Sequence, residues 1–211
     1  MVALTLYGCV VAALLMSELR NHRRAQILFK PLAALGFILL ALTYGAFGSL
    51  YGQVILAGLI FCAAGDVCLL SRKSQAAFLL GMGAFALGHL AYLSAFVTVQ
   101  ADLVSAKMMI VSVVAIFGGY GFYSWLKPHL PQDMRVPVAL YSVLIIVMVI
   151  RAFGLPWAEA LRFAPIAAVM FAVSDMFVAR DRFVTRDAKN ALAITPLYFG
   201  AQALFALSVQ I

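Results

Sequence analysis

From Pro31 to Gly65 the chain runs thirty-five residues without one lysine, arginine, aspartate or glutamate. As a helix that run would be about 50 Å long at about 1.5 Å per residue. A membrane span needs only about 20 apolar residues to cross about 30 Å of hydrocarbon. The run is too long for one span and is read as two. Its middle, Tyr44-Gly45-Ala46-Phe47-Gly48-Ser49-Leu50-Tyr51-Gly52, gathers turn formers and interfacial tyrosines, so the chain is expected to reverse there.

The same pattern recurs along all 211 residues. Stretches with little or no charge fall at 2–17, 31–48, 51–70, 76–98, 108–126, 136–153, 163–179 and 191–211. They predict an all-α polytopic membrane protein, a bundle of eight transmembrane helices forming a single domain over 1–211. Charged residues are 11% of the chain and hydrophobic ones 65%, where a soluble domain carries about 25% charge. A globule of this size could not hide so much apolar surface from water. The first seventeen residues have no basic leader and no clear cleavage site after them, so they are expected to stay as the first helix. Cys9, Cys62 and Cys68 lie inside apolar stretches at spacings that suit neither a disulfide framework nor a zinc site.

The net charge of +7 invites a nucleic-acid partner, but no nucleic-acid motif accompanies it and none is expected. Loops 1, 3, 5 and 7 hold twelve of the fifteen Lys and Arg residues, among them Arg20, Arg23, Arg24, Lys30, Arg72, Lys73, Arg180 and Lys189. By the positive-inside bias the odd-numbered loops are expected in the cytoplasm, with both termini outside, in a bacterial inner membrane. No loop is long enough for an extramembrane domain, and no obligate protein partner is indicated. Function must lie between helices or at the lipid interface.

Ionisable groups inside a span are costly and usually face the bundle interior. Two stand out, Asp66 after Ala63-Ala64-Gly65 and Asp175 after Ser174. Arg72 follows the first by six residues and Arg180 follows the second by five, which predicts one shared depth for both carboxyls. Small neighbours on each helix allow close helix approach. Helix 4 carries Phe78, Met82, Phe85, His89, Tyr92 and Phe96 on one face, and helix 8 carries Thr195, Tyr198 and Gln202. Polar glue between helices is an equally good account of His89 and of the helix 8 stripe. Asp66 precedes His89 by the twenty-three residues that separate Asp175 from Tyr198, an interval that suits an old duplication. Lys30-Pro31 is expected to open helix 2 at the cytoplasmic surface, with the lysine either meeting a lipid phosphate or snorkelling as an anchor. Glu18 is read as interfacial, and Arg151 as a snorkeller or a partner for Glu159.

These signals in this order resemble the lysoplasmalogenase family, the YhhN-like membrane proteins. The resemblance covers nearly the whole chain. It rests on Lys30-Pro31, Gly65-Asp66-Val67-Cys68-Leu69-Leu70, Phe78 to Gly81, Phe85, His89 and Tyr92. It continues through Pro137-Val138, Tyr141, Met148, Met170-Phe171, Ser174-Asp175, Arg182-Phe183 and Gln202. It implies an eight-helix enzyme that hydrolyses the vinyl ether of lysoplasmalogens, lysophospholipid substrates held among membrane lipids, or acts on a related lysolipid or ether-like adduct. The products are a fatty aldehyde and glycerophosphoethanolamine or glycerophosphocholine.

The residues suit that chemistry on their own terms. Vinyl ethers hydrolyse by slow protonation of carbon, and water captures the oxocarbenium ion that results. One carboxylic acid must stay protonated near neutral pH while a second carboxylate stabilises the cation or activates water, a division of labour that glycosidases also use. Burial and a neighbouring like charge both favour a neutral carboxyl. Asp66 and Asp175 are the candidate catalytic pair, with no cofactor and no metal expected. His89, Tyr92, Tyr198 and Gln202 are candidates to orient water and the glycerol hydroxyl, and Lys30 to hold the phosphate. A proton-coupled transporter or lipid-binding protein could use the same aspartates as a relay or polar site. An intramembrane aspartyl protease fits poorly, because its Gly-x-Gly-Asp motif would need glycine where Ala63 stands.

Overall fold

The protein is described by a computed structural model, which covers residues 2–71, 74–99, 106–157 and 159–210. Eight α-helices follow one another: α1 (Val2–Leu19), α2 (Arg23–Thr43), α3 (Leu50–Leu69), α4 (Gln75–Thr98), α5 (Ala106–Leu126), α6 (Gln132–Ala152), α7 (Phe163–Phe183) and α8 (Ala188–Leu207). All eight are long and apolar enough to cross a membrane, and there are no strands among the described residues. Short 3₁₀ turns at Ala46–Gly48, Lys127–His129 and Glu159–Arg162 fill three of the connections. The uncharged run does divide where its turn residues lie. Gly45 takes φ +84° just past the end of α2, a conformation that glycine reaches without a Cβ penalty. The Ser49 hydroxyl then accepts the Gly52 amide at 3.0 Å and caps α3.

Several boundaries differ from those expected, for a common physical reason. α2 begins at Arg23, so Pro31 lies inside the helix and Lys30 stands two turns in from its start. α7 continues through Arg180 and Arg182 to Phe183. α6 starts at Gln132 and takes in Arg135. Charge ends an apolar stretch without ending a helix. Long cationic side chains reach back to the interface, and at the end of α7 the helix dipole favours them as well. Arg72 and Lys73 lie outside the described residues, as do the side chains of Glu159 and Lys189.

The most extensive helix pairings are α3 with α4 and α7 with α8. Glycine makes the first of them possible. A Cβ on Gly58 would stand 2.4 Å from the Tyr92 ring, and one on Gly88 would stand 2.6 Å from Cys62 Sγ. Lipid supplies little hydrophobic force to drive helices together, so close contact between small residues does much of the holding. α8 packs against α1, α2, α3 and α7, which makes it the hub on which both halves of the chain meet. Two tyrosines bind that hub from outside. Tyr7 donates to the Phe199 carbonyl at 2.6 Å, and Tyr51 pairs with Ser208 Oγ at 2.9 Å. α5 is the outlier. It packs chiefly on α6, and among its described side chains Met108 and Leu126 alone are buried.

The glycine contact can be tested directly. Gly88→Ala should cost about 1–3 kcal/mol through overpacking, read as a lower thermal midpoint in detergent. Gly83→Ala, on the same helix with nothing within 4 Å, should be near neutral.

Candidate active site

Asp66 lies three residues before the end of α3 and is 2% exposed. The small residue before it matters, because a Cβ on Gly65 would already stand 2.8 Å from the Phe85 ring. α4 thus closes directly over the aspartate. Both carboxylate oxygens are held. Lys30 Nζ stands 3.3 Å from Oδ1, and the Tyr198 hydroxyl donates to Oδ2 at 2.6 Å. The Tyr198 ring is fixed edge-on against Phe171 at 5.3 Å and Phe85 at 5.8 Å, so its hydroxyl has little freedom to leave. Asp175, midway along α7, accepts the Tyr141 hydroxyl at 2.6 Å.

Both carboxyls border one cavity of about 520 Å³, together with Lys30, Tyr198 and Glu18. That volume falls within the range of small-molecule sites. Asp66 is three residues from the end of its helix and Asp175 eight, about 4.5 and 12 Å along the respective axes. The similar spacings to the first following arginine, six and five residues, therefore overstated their likeness in position along the helix, since α7 carries Arg180 within the helix. The cavity wall at this end includes Leu69, Phe78 and Phe183, residues close to the loops that hold most of the basic side chains.

The other candidates stand behind that wall. The aromatic stripe of α4 divides: Phe78, Met82 and Phe85 line the cavity, whereas His89, Tyr92 and Phe96 are fully buried. His89 Nδ1 lies 2.7 Å from the Phe85 carbonyl. A carbonyl can only accept, so Nδ1 carries the proton and Nε2 is left as an acceptor, without a partner among the described residues. The imidazole meets the Tyr141 ring at 5.4 Å and the Phe171 ring at 4.5 Å. It therefore supports the tyrosine that holds Asp175. Tyr92 donates to Gln202 Oε1 at 2.7 Å, and the Gln202 amide nitrogen has no partner among the described residues. His89, Tyr92 and Gln202 do not border the cavity.

Two cavity residues escaped the sequence reading as site residues. Tyr141 was visible only as part of a family pattern. Glu18, read as interfacial, borders the cavity and accepts the hydroxyl of buried Thr195. Only the proximity of α1 to α8 brings that pair together. Lys30 is also repositioned: it is a partly buried partner of Asp66 and not an anchor at the start of its helix. Among the described residues no three His, Cys, Asp or Glu side chains gather as a metal site.

Eight spans around a cavity with two carboxyls, each gripped by a tyrosine, define a polytopic membrane protein with an intramembrane acidic site. The chain belongs to the YhhN family, whose pattern matches residues 25–209. A protein of Mycobacterium bovis named lysoplasmalogenase is 29% identical over 194 residues, 89% of this chain and 71% of its own length. Human lysoplasmalogenase TMEM86B is 33% identical over 160 residues, and bovine lysoplasmalogenase TMEM86A is 32% identical over the same number. The human alignment takes in 75% of this chain and 64% of the human protein, a little under two thirds of it. No solved structure matches the chain.

The Lys30–Asp66 contact predicts a specific non-additivity. Lys30→Met strands a buried carboxylate and should cost about 3–5 kcal/mol. Adding Asp66→Asn removes the charge that was stranded and should recover most of that loss. The coupling is read from unfolding midpoints of the wild type, the two single variants and the double variant.

Proposed function

We propose that this protein is a membrane hydrolase that cleaves the vinyl ether of a lysoplasmalogen, releasing a fatty aldehyde and glycerophosphoethanolamine or glycerophosphocholine. One observation carries the reading: two carboxyls on separate helices, each fixed by a tyrosine hydroxyl, border one cavity. The names of the mycobacterial and mammalian relatives support the same substrate class.

The contacts of the two carboxyls divide their roles. Asp66, paired with Lys30, serves as the carboxylate. Asp175, whose described side-chain partner is a hydroxyl, serves as the acid. Asp175 gives its proton to the vinyl carbon that does not bear oxygen, and the positive charge settles on the carbon–oxygen pair as an oxocarbenium ion. Asp66 faces that charge and accepts a proton from the water that adds to it. As the hemiacetal collapses, Asp66 gives its proton to the departing glycerol oxygen and Asp175 takes the proton of the hemiacetal hydroxyl, which leaves the aldehyde and restores both carboxyls to their starting states. Tyr198 and Tyr141 keep the two carboxyls aimed, while His89 and Gln202 support this arrangement from behind the wall. With the odd-numbered loops in the cytoplasm, the cavity sits toward the cytoplasmic leaflet, and Lys30 and nearby loop cations meet the substrate phosphate.

The test is incubation of purified protein with lysoplasmalogen while free aldehyde is followed. Asp175→Asn should lower turnover by at least about 10²–10⁴, the usual contribution of a positioned acid. Binding of a saturated alkyl lysolipid should survive, because the acid acts in the transition state. Turnover should fall as pH rises and the acid loses its proton, with an apparent pKa that belongs to the coupled pair. Proton transfer to carbon limits the rate, so the reaction should also slow in heavy water. Full hydrolysis by both Asp66→Asn and Asp175→Asn proteins would remove these residues as the catalysts.

A further inference from the structure

The cavity extends far beyond the carboxyls, and its length has a chemical direction. On α5 its wall is a single helical stripe that includes Ile110, Val114 and Gly118, spaced four residues apart and so on one face. A helix face of this kind normally packs on a neighbour, but this one borders a void. Ile110 is 66% exposed and Val114 67% exposed although both line the cavity. The wall is therefore open on the α5 side, toward the hydrocarbon.

The polar lining is concentrated at one end. On α6 the last polar groups are Tyr141 and Ser142, and the Ser142 hydroxyl is already spent on the Val138 carbonyl at 2.8 Å. From Tyr141 to Phe153 the cavity face of α6 is otherwise Ile145, Ile146 and Val149. Those twelve residues span about 18 Å at about 1.5 Å each, while one leaflet supplies about 15 Å of a 30 Å hydrocarbon core. Across the slot α7 adds Ala172 and Val169. Its polar end bears carboxyls, a lysine and hydroxyls, and the rest is hydrocarbon over the length of one lipid tail.

We propose that this slot between α5, α6 and α7 holds the single aliphatic chain of a lysolipid, which enters sideways from the bilayer across the open α5 face. Ala115 sets the longest chain that fits. The proposal builds on the lysolipid reading above. Gly119 fixes where α5 meets the far wall, because a Cβ there would stand 2.4 Å from Ile146 Cδ1. Ala115 lies one turn beyond that contact, on the tail side, and borders the cavity. A large side chain at this position plugs the far half of the slot and leaves the carboxyl end untouched.

The test uses 1-O-alkyl lysophosphoethanolamines, whose saturated ether is not a vinyl ether, bound to the full-length protein in lipid nanodiscs. A photoreactive diazirine at the chain terminus should label α5 and α6 near Val111 and Val149, read by peptide mass spectrometry. A diacyl phospholipid carrying the same group should label outward faces without that focus. Ala115→Trp should weaken octadecyl lysolipid binding at least about tenfold, since roughly two methylenes shut out of an apolar site suffice for that. It should leave the decyl analogue unchanged. Ile116→Trp, on the outward face of the same helix, should alter neither. Labelling spread evenly over all helices, or an equal loss of long and short chains in Ala115→Trp, overturns the proposal. The two readings separate cleanly. Focused labelling without vinyl-ether turnover sinks the hydrolase and keeps the slot, and turnover without focused labelling does the reverse.

Discussion

The Lys30–Asp66 ion pair is the contact on which the arrangement of the site depends. Hydrocarbon offers no water to a bare carboxylate, so a buried aspartate requires partners before its helix can settle. Asp66 draws its partners from α2 and α8, and thereby fixes three helices around one point. Phe85, packed over Gly65 and against the Tyr198 ring, adds α4 to the same junction. The Tyr198 ring also meets Phe171 edge-on, so the same junction touches α7. The second carboxyl repeats the arrangement with one fewer charge, since Tyr141 on α6 answers Asp175 on α7.

This division gives the cavity two kinds of wall. One side is closely packed, built by α3, α4, α7 and α8 through glycine contacts and interlocked aromatic rings. The other is α5, a helix that hardly enters the core. A hydrolytic site for a lipid needs both properties. In the proposed reaction the carboxyls are held firmly enough to keep their roles apart, and an amphiphile still reaches them.

Much of this was legible in the sequence. Eight spans, the reversal at Tyr44–Gly52 and the two aspartates follow from charge distribution and turn chemistry alone. The boundaries misread at Arg23, Arg135 and Arg180 share one cause: an apolar window ends at the first charge, but a helix whose cations can reach the interface does not. Lys30 was seen and misplaced for that reason. Tyr141 and Glu18 belong to a harder class. Their importance comes from helices that meet in space, α6 with α7 and α1 with α8, and no linear pattern encodes which tyrosine will face which aspartate. The α4 stripe shows the limit of periodicity. It correctly groups Phe78 through Phe96 on one face, yet that face passes from cavity to solid core partway along the helix.

The partners of the two aspartates also have an order in time. Asp66 on α3 meets a lysine from α2, and Asp175 on α7 meets a tyrosine from α6, so in each case the needed group lies on the helix made just before. Chains emerge and fold from the amino end. Each carboxyl can therefore enter the bilayer within a helical hairpin that already contains its counterpart. The bond from Tyr198 to Asp66 joins residues 132 positions apart and can form only after α8 has been made. The order of the chain thus lets the local pairs form before the last helix joins them into one site.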